Sequence, residues 1–101
     1  MPGIQYLKKE EDYLWEGAFQ LNAGHYDRAL NLFQHLEEKN TKDAHLFYLM
    51  AIAFFKKDDT ESALKYLGKC VKADGLYKVI IYNEPDFEPL LQKEDFLAIV
   101  E

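Results

Sequence analysis

The sequence predicts an all-α protein built of antiparallel helix hairpins, and two observations support this. The first is an internal repeat: Ala29 and Ala63 are 34 positions apart, and the residues around them align. A fixed period of this size with two helices per period is typical of helical repeat arrays. The second is that apolar residues recur at three- and four-residue spacing, which is the periodicity of a helix. The aligned pairs are Gly17 with Ala51, Ala29 with Ala63, Phe33 with Leu67 and Leu36 with Cys70.

Four helices are expected in the two repeating units, at about residues 2–22, 26–39, 44–57 and 61–73. Pro2 suits the first turn of the first helix, and Gly24 follows its end. The third helix carries an unbroken apolar run over residues 46–55, which is too short to span a bilayer. We therefore expect a central helix that packs against neighbours on both sides. The candidate N-cap residues are Thr41 or Asp43 for the third helix and Asp59 or Thr60 for the fourth.

A third unit begins at residues 76–82, and Pro85 cuts it short because proline cannot continue a helix. The remaining residues are expected to form two short helices that cover the open face of the last unit. A strand over residues 77–82 is the second-ranked alternative, because β-branched residues occur there but a lone strand would have no partner. The side chains expected to form the cover are Phe87, Leu90, Leu91, Phe96 and Ile99.

Small and large apolar residues occupy matching positions in the two units. Gly17, residues 24–29 and Phe33 in the first unit resemble the tetratricopeptide repeat family. The matching residues of the second unit are Phe47, Ala51, Phe54, Ala63 and Leu67. In this family the small residues allow two helix backbones to approach closely, and the large ones fill the space between helices. Asp58 stands where the family usually has glycine.

The resemblance implies a right-handed superhelix of hairpins with two full repeats, a truncated third and short C-terminal capping helices. Repeat one would cover about residues 10–43 and repeat two about residues 44–77, and the C-terminal cap would cover about residues 78–101. Pro85, Phe87, Pro89 and Phe96 lie in a pattern that resembles the terminating element of bacterial arrays of this family.

Length and charge narrow the function classes. A chain of 101 residues with 49% hydrophobic residues is expected to form one small domain with a packed core. Its formal net charge of −6 argues against nucleic acid and anionic membranes as partners, because the basic residues do not cluster. The single cysteine, Cys70, is expected to be a core residue, with a reactive thiol as the alternative. No signal peptide or membrane span is recognisable, so a cytoplasmic location is expected.

The sequence offers no pattern typical of catalysis or of a bound cofactor. His25, His35 and His45 lie on different predicted elements and lack the spacing of metal ligands. The acidic stretch at residues 84–88 lacks the glycine and the ligand spacing of a calcium loop, so a solvated capping loop is expected. Neither a glycine-rich phosphate loop nor a nucleophile elbow is present. We therefore expect no enzyme activity, no cofactor and no metal site.

Recognition of a protein partner is the function that remains. In the tetratricopeptide repeat family the first helix of each unit lines a concave face. That implies groove positions here at Glu11, Leu14, Ala18, Leu21, Asn22, His45, Tyr48, Leu49, Ile52, Phe55 and Lys56. A wide apolar surface usually marks an interface, and an amphipathic helix or an apolar-anchored peptide would fit it. The residues predicted to bind the partner are Leu14, Ala18, Leu21, Tyr48, Ile52 and Phe55.

Two alternatives stay open at this point. The same apolar residues could be core, covered by Ile81, Tyr82 and the C-terminal tail. The same surface could also serve self-association into a homodimeric scaffold, together with Tyr6, Leu7 and Trp15 of the first helix.

Overall fold

A computed structural model describes residues 10–39 and 42–101, and over these residues the chain is helical without strands. The helical prediction for residues 77–82 is therefore confirmed over the strand alternative. The expected start of the first helix near Pro2 lies outside the described residues, as do Tyr6, Leu7 and Thr41. The elements are α1 (Glu10–Asn22), α2 (Tyr26–Glu38), α3 (Ala44–Lys56), α4 (Thr60–Ala73), α5 (Tyr77–Tyr82), the 3-10 helix η1 (Pro85–Leu90) and α6 (Glu94–Val100).

Acidic N-caps and left-handed turn residues set the ends of the helices. The side chain of Asp43 accepts a hydrogen bond from the backbone N–H of His45 and caps α3. Asp59 caps α4 in the same way by accepting from the N–H of Ser62. Gly24 and Asp58 have φ angles of 85° and 64° in the turns that follow α1 and α3. The equivalent turns of the two units therefore share a backbone conformation, although only one of them uses glycine.

The core is organised around α3, which contacts α4 most extensively and also packs against α2 and α1. Nine of its 13 residues are buried, so it is enclosed on almost every side, as predicted for a central helix. By contrast, α2 and α4 bury one stripe each and expose a polar face. Among the described residues, no helix combines the length and the apolar character that crossing a membrane would require.

A close contact between α1 and α2 depends on a glycine. A Cβ atom built on Gly17 would lie 2.3 Å from ring carbon Cε1 of Phe33 and 2.8 Å from Cδ1. Phe33 is fully buried, so displacing its ring would disturb the close packing of the core. The short loop between these two helices makes them antiparallel neighbours, and Gly17 lets them approach closely enough to enclose the ring.

A polar cluster ties α2 to α4 on another side of the molecule. The hydroxyl of Tyr66 donates to Glu37 at 2.7 Å, and the ammonium of Lys69 pairs with the same carboxylate. The Lys69 ammonium also lies 4.8 Å from the ring centroid of Phe47. Burial alone would raise the pKa of Glu37, but Lys69 and Tyr66 outweigh it and lower that pKa below 4.5. The carboxylate is therefore ionised and holds two helices together.

The C-terminal elements pack on α3 and α4. Phe87 of η1 and Phe96 of α6 have ring centroids 6.3 Å apart, and both are buried with Ile81 and Leu90. Leu91 and Ile99 are half-buried at the edge of this cluster.

Cys70 is fully buried in the core, and burial raises the pKa of its thiol to about 12, so it is not a reactive thiolate. The prediction that Cys70 is a core residue is confirmed.

We expect Gly17→Ala to lower the free energy of unfolding by about 1–3 kcal/mol, because the added methyl group must displace a buried ring. Gly68 provides the matched control, since it also lies within a helix and an added Cβ meets no atom within 4 Å. Gly68→Ala should instead raise stability by up to about 1 kcal/mol through helix propensity. Urea denaturation followed by circular dichroism measures the free energy of unfolding of both variants. An equal change in this free energy for the two variants would contradict the close-contact explanation.

Candidate partner-binding pocket

A pocket of about 390 Å³ lies where the C-terminal turn of α1 meets α3 and the start of η1. It opens on the face of the molecule that carries the predicted groove. Its lining residues are Leu21, Asn22, Tyr26, Tyr48, Leu49, Ile52, Lys56, Glu84 and Asp86. A pocket of this size lies within the range that holds small ligands or a few side chains of a peptide.

The floor of the pocket is apolar and comes mainly from one face of α3. Leu49 and Ile52 are three residues apart, so they lie on the same side of the helix, and Leu21 of α1 lies beside them. All three are buried apart from a small surface in the pocket. Met50 and Ala53, which lie outside the pocket lining, are fully buried in the core. Because the floor residues belong to the packed core, the pocket has a rigid base.

One wall of the pocket is polar and is contributed by residues far along the chain. The hydroxyl of Tyr48 donates a hydrogen bond to Glu84 at 2.7 Å. Glu84 also accepts from the backbone N–H of Asp86 at 3.4 Å and thereby caps η1. Lys56 forms an ion pair with Asp86 at 3.0 Å. These contacts hold the segment between α5 and η1 against α3.

The pKa values of two wall residues follow from these contacts. Burial, followed by the hydrogen bond to Glu84, raises the pKa of Tyr48 well above 10.0. The hydrogen bond and charge of Asp86 raise the pKa of Lys56 above 10.5. Near neutral pH the phenol is therefore neutral and the ammonium is charged.

The structure brings together three of the six residues predicted to bind a partner: Leu21, Tyr48 and Ile52 line the pocket. Phe55 packs against Phe87 of η1, with ring centroids 5.7 Å apart, so the C-terminal segment covers it in part. Leu14 and Ala18 are half-buried against the core and lie outside the lining. The predicted face is thus covered by the C-terminal segment at one end and open at the other.

Three lining residues were absent from the predicted groove: Tyr26, Glu84 and Asp86. Tyr26 is the first residue of α2, and helical periodicity cannot separate a pocket wall from a core position. Glu84 is 36 residues from its partner Tyr48, and no local pattern signals a contact over that distance. Asn22, Leu49 and Lys56 were groove positions implied by the family resemblance, and they do line the pocket.

Apolar residues outside the pocket form two exposed groups. On α1, Trp15 is 77% exposed and Phe19 is 64% exposed, and their four-residue spacing puts them on one side of the helix. On and beside α5, Leu76 and Val79 are the most exposed members of a second group that also includes Ile80 and Tyr82. Exposed large apolar groups of this kind are candidate interfaces.

The three histidines lie apart from one another in contacts of different kinds. His25 bonds Gln20 through Nδ1 at 2.8 Å, and His35 stacks on Tyr13 with ring centroids 4.2 Å apart. His45 lies 3.3 Å from the hydroxyl of Tyr77 through its Nδ1 atom. Within residues 10–39 and 42–101, no group of three potential ligands is arranged to hold a metal ion.

Comparison of the chain with models of protein families, with curated proteins and with solved structures found no match.

We expect Tyr48→Phe to lower the free energy of unfolding by about 1 kcal/mol near neutral pH, because the half-buried carboxylate of Glu84 loses its hydroxyl donor. Tyr82→Phe, the same change at an exposed tyrosine, is the control and should have little effect. The pKa of Tyr48 in the folded protein exceeds 10.0, so the hydrogen bond of its hydroxyl stabilises the fold below pH 10 and this stabilisation is lost as the pH rises further. Urea titrations at neutral pH and above pH 10 should therefore show a smaller stability difference between the unaltered protein and Tyr48→Phe at the higher pH. A difference that stays constant with pH would contradict this assignment.

Proposed function

We propose that this protein is a non-enzymatic interaction module that binds a peptide or an amphipathic helix of a partner protein. The observation that carries the proposal is the pocket, which has a rigid apolar floor beside a polar wall. A recognition site for a peptide needs both features, because apolar anchors supply affinity and polar groups fix orientation. The proposed binding residues are Leu21, Tyr48 and Ile52 in the pocket, with Leu14, Ala18 and Phe55 along the same face.

We also propose a tetratricopeptide-like architecture with repeats at about residues 10–43 and 44–77 and a cap at about 78–101. Its support is the spacing of the helices: α1 and α3 end at residues 22 and 56, and α2 and α4 begin at residues 26 and 60. Both pairs of positions are therefore 34 residues apart. The contact between Gly17 and Phe33 and the shared turn conformation at Gly24 and Asp58 agree with it.

The state of the polar wall favours binding over catalysis. Lys56 is charged and paired with Asp86, so it is a poor nucleophile or base. Tyr48 is neutral and donates its proton to Glu84 in a hydrogen bond, so it too is poorly suited to attack a substrate. These groups hold one another in place, which suits a surface that recognises a shape.

Blocking the pocket mouth tests the proposal without disturbing the core. Asn22 is exposed and lines the pocket, so Asn22→Trp should fill the mouth with an indole ring. We expect peptides selected from a displayed random library on the unaltered protein to bind this variant at least about tenfold more weakly. Fluorescence anisotropy measures the affinities.

The control for this experiment is Asn31→Trp, the same substitution at an exposed site of α2 outside the pocket lining. It should bind the selected peptides with unchanged affinity, and circular dichroism should show the same helical content for all three proteins. The proposal fails if the library yields no binding peptide, or if the selected peptides bind Asn22→Trp as well as they bind the unaltered protein.

A second candidate function is self-association into a homodimeric scaffold, and the exposed side of α1 favours it. Trp15 and Phe19 together present two large aromatic rings to solvent, and such rings are enriched at the centres of interfaces. A symmetric dimer would bury the same side of α1 from both copies.

Light scattering over a wide concentration range tests this candidate, because a dimer has twice the monomer mass of 11.9 kDa. If α1 forms the interface, Trp15→Glu should reduce the mass to that of the monomer by introducing an unpaired charge. Val79→Glu, at a comparably exposed apolar residue of α5, should leave the dimer intact. A monomer mass at every concentration would exclude self-association.

A further inference from the structure

We propose that the pocket takes a basic side chain, arginine or lysine, from its peptide partner. The cation would lie against Glu84, and a neighbouring apolar side chain of the partner would lie on the floor formed by Leu49 and Ile52. This inference rests on the proposed function and specifies the chemistry of the partner.

The charges around the pocket do not balance. Glu84 and Asp86 contribute two formal negative charges, and Lys56 contributes one positive charge. The Lys56 ammonium is committed to Asp86 at 3.0 Å. Glu84 receives only neutral donors, the hydroxyl of Tyr48 and the N–H of Asp86. Over the part of the chain that the structure describes, Glu84 has no ion-pair partner, so the pocket keeps one uncompensated negative charge.

The position of Glu84 makes that charge effective in binding. Glu84 is half-buried, and its carboxylate lines a pocket whose floor is apolar. Coulomb attraction is stronger in such a site than in bulk water, because less solvent screens the charge. A carboxylate has about four acceptor positions, and two donors occupy part of them here, so an incoming N–H group can still bind.

The sign of the charge excludes the opposite kind of ligand. A partner carboxylate or phosphate in the pocket would face both Glu84 and Asp86, and like charges at close range are unfavourable. The chain as a whole carries a formal net charge of −6, which adds a long-range attraction for cationic partners and a repulsion for anionic ones.

The arrangement of floor and wall also restricts how the partner presents its residues. The two adjoin, since Tyr48 of the wall directly precedes Leu49 of the floor in α3 and donates to Glu84. The apolar anchor and the cation must therefore come from side chains that are close together on one face of the partner. On a helix this corresponds to positions three or four residues apart.

The test compares two peptides on three proteins. The first peptide is the most enriched one from display selection, synthesised with a fluorescent label. The second is the same peptide with citrulline in place of arginine and norleucine in place of lysine. We expect the neutral version to bind the unaltered protein about tenfold more weakly, because it lacks the cation. On Glu84→Gln both versions should bind with similar affinity, because the carboxylate that distinguishes them is gone.

Glu88→Gln is the matched control, since Glu88 lies in η1, the 3-10 helix that Glu84 caps, but is exposed and outside the pocket lining. It should preserve the tenfold difference between the two peptides. Raising the salt concentration should weaken the basic peptide more than the neutral one. The comparison of the two peptides on the unaltered protein changes only the peptide, so it does not depend on the folding of any variant.

The outcomes separate this inference from the proposed function. Two results would overturn the basic-partner proposal. The first is that the enriched peptides contain no arginine or lysine. The second is that the neutral peptide loses the same affinity for the unaltered protein as for Glu84→Gln. The interaction-module proposal would still stand in that case if Asn22→Trp blocked binding. If no peptide is enriched at all, both proposals fail together.

Discussion

The burial of α3 is the constraint on which the rest of the structure depends. This helix has an apolar surface on almost every side, so a single neighbouring helix cannot cover it. Its close contact with α4 leaves other faces that α2, α1 and the C-terminal segment must share. Of the helices around it, α2 and α4 each have one apolar stripe and one polar face, which is what a helix at the edge of a small core requires, whereas α1 also exposes Trp15 and Phe19.

The C-terminal segment completes the enclosure through aromatic contacts. Phe87 approaches Tyr48 and Phe55 of α3, with ring centroids 6.4 Å and 5.7 Å away. Pro85 ends the continuation of α5 and starts a 3-10 helix, and this turn directs Phe87 back towards the core. The same turn brings Glu84 and Asp86 against α3. The cover of the core and the polar wall of the pocket are therefore consequences of one change in chain direction.

The pocket is the part of the α3 surface that this cover does not reach. Leu49 and Ile52 keep a small exposed area there, while Met50 and Ala51 on the opposite side of α3 are fully buried. Because the floor is core and the wall is held by hydrogen bonds and an ion pair, the pocket is preformed. A preformed site binds with a smaller loss of conformational entropy than one that must order on contact.

The amino-acid sequence by itself determined the helical class, the approximate helix bounds, the central position of α3 and the burial of Cys70. Hydrophobic periodicity, caps and turn residues act over a few residues, so they can be read along the chain. Three of the six predicted binding residues, Leu21, Tyr48 and Ile52, line the pocket because they lie on one helix face or at a helix end.

Only the tertiary structure decided which part of that face stays open and what charge it carries. Phe55 is partly covered by Phe87, and Glu84 reaches Tyr48 across 36 residues of sequence. Such contacts depend on the direction in which the chain leaves α5, and no periodic pattern records that direction. The acidic residues at 84–88 looked like a solvated loop in the sequence because their charge indicates exposure. Folding places two of them in the wall of a pocket, because the turn at Pro85 packs against α3.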